Sequence, residues 1–224
     1  MKHLTADGKH IPLDFFSWHC YGYLPEKMYQ RSIFIRNILD EYGYNETESI
    51  LNEWNYIKSW DDFVYSVKHI ISIKGAAFTA ACMCGCQNET DIDMLMYYDA
   101  RPCAYNGLFD YYTNEHLKGY YPFIMFNALY KLGNACKCVS DNKNIYAAAA
   151  KDDNSKAVML SFYTDDDDFE DICDITLDFS DNGETYEILL LDKTHDAEYI
   201  GRVTSGNSIK LAPNTVCLLK STER

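Results

Sequence analysis

Residues 49–60 read SILNEWNYIKSW. Two aliphatic residues, Ile50 and Leu51, run straight into Asn52-Glu53-Trp54-Asn55. A strand-like segment therefore ends on one carboxylate set between asparagines and beside a tryptophan. A glutamate at the end of a buried parallel strand loses solvation, so it needs hydrogen-bonding partners or a chemical task. The residues of this stretch leave both readings open.

The segments on either side give the stretch its context. Upstream, LDFFSWHCYG (13–22) is a short aromatic run ending in Gly22 and reads as a buried strand. PEKMYQRSIFIRNILDEYGY (25–44) starts with a proline, repeats Met28, Ile35, Ile38 and Leu39 at helical spacing, and meets a C-terminal stop at Gly43. Downstream, residues 60–86 are rich in small residues and helical in pattern. DIDMLMYYDAR (91–101) reads as a third strand, and YYPFIMFNALYKLG (120–133) as a helix closed by Gly133. Strand and helix alternate three times, the pattern of a parallel sheet with crossover helices. Polar and aromatic residues gather where each strand ends: His19 and Tyr21, then Glu53, then Tyr97, Tyr98, Asp99 and Arg101. Sites in such sheets are built at the C-terminal ends of strands.

Beyond residue 134 the texture changes. NIYAAAAKD, AVMLSFYT, ICDITLDFS, TYEILLLDK, SIKLAP and TVCLLKS are short strand-like runs separated by turn residues, the pattern of a small antiparallel sandwich. Two domains are expected, 1–133 and 134–224. The acidic run Asp165–Asp168 reads as a solvated loop, with a calcium site as the alternative, although the run lacks the alternation of a calcium loop.

Composition excludes some functions. The 224 residues are 47% hydrophobic, so the chain can bury a core. A net charge of −14 argues against nucleic acid and anionic membrane surfaces, which need clustered Lys and Arg. Aromatics reach 15%, which fits stacking on sugar rings or an aromatic core. Nine cysteines, an odd count closely spaced at Cys82, Cys84 and Cys86 and at Cys136 and Cys138, do not suggest a disulfide framework and fit a reducing cytosol. Steps of two point the thiols of CMCGC to different faces of a helix, which disfavours one shared metal. The N-terminal residues lack the apolar core of a signal peptide, so a cytoplasmic location is expected.

The strand ends SWHCYG, ILNEWN and DMLMYYDARPCAYNGLFD, with the helix KGYYPFIMFNALYKLG, resemble the last three βα units of glycoside hydrolase family 39. That family contains β-xylosidases and α-L-iduronidases, retaining enzymes with a catalytic Glu on barrel strands four and seven. The resemblance implies the C-terminal portion of a TIM (β/α)8 barrel followed by a β-sandwich. It makes Glu53 the nucleophile on barrel strand seven. It also implies substrate contacts from His19, Tyr21, Asn52, Trp54, Tyr98 and Arg101, with His19 and Tyr21 orienting the nucleophile. Asn106 and Phe109 would lie in the loop after strand eight, over the sugar. No cofactor or metal is implied, and the partner is a carbohydrate.

One part of the pattern is missing. Retaining hydrolysis needs a second carboxyl group about 5–5.5 Å from the first. The NET triplets at 45–47 and 88–90 and the NEH triplet at 114–116 do not follow a strand in the right place. A full barrel takes roughly 250 residues and eight strands, and about three strands fit here. The expected state is a C-terminal part of a larger glycosidase. The alternatives are a non-catalytic carbohydrate-binding module, or one half of a split enzyme whose other strands come from a second polypeptide.

Overall fold

A computed structural model describes residues 8–103, 105–179 and 183–221. Strands β1 (Phe15–Gly22), β2 (Glu48–Tyr56) and β3 (Met94–Tyr97) form a parallel sheet with β2 in the centre. Helix α1 (Pro25–Glu41) connects β1 to β2. Its buried face is Met28, Ser32, Ile35 and Leu39, and Gly43 follows its end at φ +79°. The stretch 60–86 is not one helix. It breaks into α2 (Phe63–Ile70) and α3 (Ile73–Glu89), bent by 79°. Ser72 caps α3 by accepting a hydrogen bond from the Lys74 amide. Gly75 permits the elbow, because a Cβ there would lie 2.5 Å from the carbonyl oxygens of both His69 and Ile70.

After β3 comes a loop with a 3₁₀ turn (Lys118–Tyr120), then α4 (Tyr121–Leu132), ended by left-handed Gly133 at φ +81°. Eight strands follow: β4 (Asn134–Cys136), β5 (Ile145–Lys151), β6 (Lys156–Phe162), β7 (Cys173–Thr176), β8 (Thr185–Leu191), β9 (Asp196–Thr204), β10 (Ser208–Leu211) and β11 (Thr215–Ser221). Six pair antiparallel in the order β4-β5-β6-β11-β8-β9, and β10 pairs with β7. The turn expected around Ser180–Glu184 falls partly outside the described residues.

The central strands of the large sheet are buried on both faces. Along β6, Val158, Leu160 and Phe162 meet the β7–β10 ribbon residues Ile175, Ile209 and Leu211. Ala157 and Met159 point the other way, to the helices. This alternation is the period-two rule of a strand between two layers. Helix α3 is the hub of the molecule, with every residue from Ile73 to Cys86 buried. Ala76, Ala77, Ala80, Ala81 and Gly85 keep it narrow enough to pack against both the parallel sheet and the six-stranded sheet. The Ser161 hydroxyl donates to the Ala77 carbonyl at 2.8 Å across that contact. One apolar core thus runs across residue 134. Burial of Cys82, Cys84 and Cys86 raises their thiol pKa, that of Cys86 to about 12.

The parallel sheet is different. Its helix-side face is buried, but β1 is not the fully buried strand its aromatic content suggests. Phe15, Ser17 and His19 are exposed, while Trp18 and Cys20 are buried. On β3, Met94 and Met96 are 43% and 45% exposed on the same open face. No layer of the described residues covers that side. The third strand is also shorter than residues 91–101 suggest.

Candidate active site

The site is set by an irregularity in β2. Ser17 pairs with Ile50 and Trp18 with Leu51, but His19 pairs with Glu53. Asn52 is therefore an extra residue, a β-bulge. The same shift occurs against β3, where Leu51 pairs with Leu95 and Trp54 with Tyr97. A bulge reverses which face the following residues present. Leu51 and Trp54 both turn to the helices and are fully buried. Glu53 turns to the open face beside His19 and Tyr21. Strict alternation would have exchanged Glu53 and Trp54.

On the open face the Tyr21 hydroxyl donates to Glu53 Oε2 at 3.0 Å. His19 Nδ1 lies 3.1 Å from the same oxygen and donates when that nitrogen carries a proton. The Glu53 side chain is 32% exposed and that of His19 is 51% exposed, so the group meets solvent. Burial, with the hydrogen bond to and the charge of Glu53 behind it, pushes the Tyr21 phenol well above its ordinary pKa. Tyr21 thus stays a protonated donor at neutral pH. Tyr21, and His19 when its Nδ1 carries a proton, hold Oε2 of the carboxylate.

An aromatic wall surrounds the carboxylate. Tyr21 contacts Trp60 at 5.7 Å, Tyr105 at 6.3 Å and Tyr98 at 6.4 Å between ring centroids. Trp60, which is 65% exposed, stacks on Phe63 at 6.0 Å with the rings 6° apart. The Tyr105 hydroxyl is buried and has no protein partner among the described residues. Asn55 ties the strand ends together, its Nδ2 donating to the Tyr98 carbonyl at 2.6 Å.

The acidic run supplies a support the sequence did not reveal. Asp165 is not solvated; its side chain is 8% exposed. It accepts from the Tyr56 hydroxyl at 2.6 Å and from Lys58, both just past Glu53 on the same chain segment. The Lys74 ammonium, itself 4% exposed, donates to Asp167 at 2.5 Å and to the Asp165 carbonyl at 2.8 Å. The loop after β6 is thereby clamped to the end of β2. Hydrogen bonds from Lys74 and Tyr65 hold the Asp167 carboxyl below the usual carboxylate range.

The structure brings His19, Tyr21 and Glu53 into one hydrogen-bonded group, with Tyr98 against Tyr21. Asn52 forms the bulge, and its Oδ1 is buried without a protein partner among the described residues. Trp54 does not wall a subsite. It faces the helices, edge-on to Tyr97 at 5.4 Å, because of the bulge. Arg101 pairs with Asp99 at 3.1 Å at an exposed position. Asn106 is buried and structural, accepting from the Leu108 and Phe109 amides. Phe109 packs on Tyr120 and His116. Trp60, Phe63 and Tyr105 are additions. Their signal was aromatic residues in the segments that follow the C-terminal ends of β2 and β3, the side on which such sheets build their sites.

No protein-family model and no curated protein sequence matches this chain. Solved structures do. A glucosidase from Croceicoccus marinus superposes with a TM-score of 0.69 at 18% identity, over 95% of this chain and 55% of its own. A monomeric β-xylosidase from Caulobacter crescentus gives 0.69 at 13% identity, over 97% and 57%. A family 39 glycoside hydrolase from Xanthomonas axonopodis pv. citri gives 0.65 at 13%, over 95% and 55%. The chain spans little more than half the length of these proteins. At such identities the likeness defines the fold, which is that of glycosidase barrel proteins: a partial barrel followed by a β-sandwich.

Proposed function

We propose that this chain is the nucleophile-bearing part of a retaining glycoside hydrolase similar to the family 39 β-xylosidases. The observation that carries the reading is Glu53. It stands at the C-terminal end of the central parallel strand, on the open face, with Oε2 held by Tyr21 and His19. In this role Oε1 attacks the anomeric carbon of a β-linked sugar, the leaving oxygen departs, and water later hydrolyses the glycosyl ester. Trp60 and Tyr98 supply aromatic faces for the sugar ring, and the Tyr105 hydroxyl supplies a partner for a sugar hydroxyl.

The leaving oxygen needs a proton from a second carboxyl group about 5–5.5 Å away. We assign that group to barrel strands beyond the three present here, carried by a second polypeptide or by further sequence. The chemistry requires no metal or cofactor. The test is a 2-deoxy-2-fluoroxyloside with a dinitrophenolate leaving group, which departs without proton assistance. The expected result is a mass increase on the peptide bearing Glu53, absent in Glu53→Gln. Label on another carboxylate, or label retained in Glu53→Gln, would overturn the assignment.

A further inference from the structure

A cleft of about 750 Å³ opens between the α2–α3 elbow and the loops of the six-stranded sheet. Its walls come from residues 68–74, Lys118, and the segments 166–170, 192–194 and 212–215. None comes from the strand ends that carry His19, Tyr21 and Glu53. The volume is that of a small-molecule site.

The lining selects by charge. Lys68, Lys74, Lys118 and Lys193 stand on its walls. So do Asp166, Asp167, Glu170 and Asp192, which balance them one for one. An anion would meet the carboxylates and a cation the ammonium groups. An extended apolar ligand would strip water from ionic groups without replacing it. Several of the charged groups are already held, Asp166 among them by the Asp168 amide at 3.0 Å. Lys74 is held by Asp167, and Lys118 by Asp196 at 2.6 Å. Asp192 accepts from the Thr194 and His195 amides at 2.7 and 2.8 Å, which help hold its pKa down at about 2 despite partial burial. Lys68, Asp166, Glu170 and Lys193 form an exposed rim. Ile73, Phe169 and Pro213 add apolar surface.

A ligand that donates and accepts at every polar atom, carries no charge and has apolar ring faces satisfies this lining. We propose that the cleft binds a neutral, hydroxyl-rich ligand, a short oligosaccharide, at a site separate from Glu53. The proposal does not depend on any reaction at Glu53.

The test is an NMR titration of the ¹⁵N-labelled chain with xylotriose, cellotriose and inorganic phosphate. The expected result is that a trisaccharide shifts the amides of Phe169, Glu170 and Lys193 saturably, and that phosphate does not. The double variant Glu170→Ala/Lys193→Ala, altered only at exposed rim positions, should weaken binding about tenfold. Phe169→Ala should weaken it as well where its spectrum shows a folded chain. Shifts confined to the amides around Glu53 and Tyr98 would overturn the proposal. So would no saturable shift with either sugar, unchanged affinity in the double variant, or phosphate occupying the cleft in preference to sugar.

Discussion

The two sheets of this chain answer the same physical demand differently. The six-stranded sheet satisfies itself at its centre: the faces of its middle strands are covered by helices on one side and by the β7–β10 ribbon on the other. Among the described residues, the three-stranded sheet is covered on one face only. Its other face shows Phe15, Met94 and Met96 to solvent, with Glu53 among His19 and Tyr21. Burial is concentrated in the first sheet and in the helices shared by both, while the candidate site residues stand on the second. That separation is the usual one between scaffold and site.

Trp54→Ala should break this arrangement most severely. The bulge puts Trp54 on the helix side, fully buried, so the substitution opens a core cavity and should cost about 3–5 kcal/mol in urea denaturation. Deleting Asn52 removes the bulge but leaves Glu53 directly after Leu51, so Glu53 should stay on the open face and Trp54 on the helix side. Asn52→Ala keeps the backbone count and removes a buried oxygen that lacks a protein partner, so it should change stability by less than about 1 kcal/mol. A mild Trp54→Ala would mean that the bulge does not turn Trp54 into the core.

Lys74→Met tests the clamp between the two regions. It leaves the buried Asp165 with reduced compensation and should cost about 3–5 kcal/mol by the same measurement. Next, Met159→Ala, fully buried between α3 and the large sheet, should cost about 2–5 kcal/mol, and Met96→Ala on the open face less than about 0.5 kcal/mol. Equal costs would erase the contrast between the sheets.

The smallest expected effect is on pH dependence. The Asp167 carboxyl has a lowered pKa in the folded chain. Its contribution is therefore present above the unfolded value near about 4 and is lost as pH falls through the folded value. Lys74 has a raised pKa, favoured by Asp167, Tyr65 and Asp165 against the opposing cost of burial. Its contribution is complete below about 10.4 and is lost as pH rises through the folded value. The clamp should thus be strongest between these limits. Thermal melts of Asp167→Asn should show a flatter acid limb than the parent chain.

Much of this was legible in the sequence. Pro25 and the spacing of Met28, Ile35 and Leu39 mark α1, and the polar strand ends mark where a site would lie. Glu53, His19 and Tyr21 were readable because they end consecutive strands. The bulge was not, since nothing in ILNEWN distinguishes Asn52 from a residue in regular alternation, and the substrate contact that the resemblance implied for Trp54 meets a side chain buried on the helix side. The elbow at Ser72 was hidden in a continuous run of small and apolar residues. Asp165 looked solvated because its partner Lys74 lies 91 residues away. Local pattern carries no trace of such a pair.

The most direct test of the central claim, that the bulge presents Glu53 on the open face, is carboxylate labelling of the folded chain with a water-soluble carbodiimide and an amine, read by mass spectrometry. The expected result is rapid modification of Glu53 and protection of Asp165. Protection of Glu53 with modification of Asp165 would contradict it, since the carboxylate would then lie in the core and the clamp would be open.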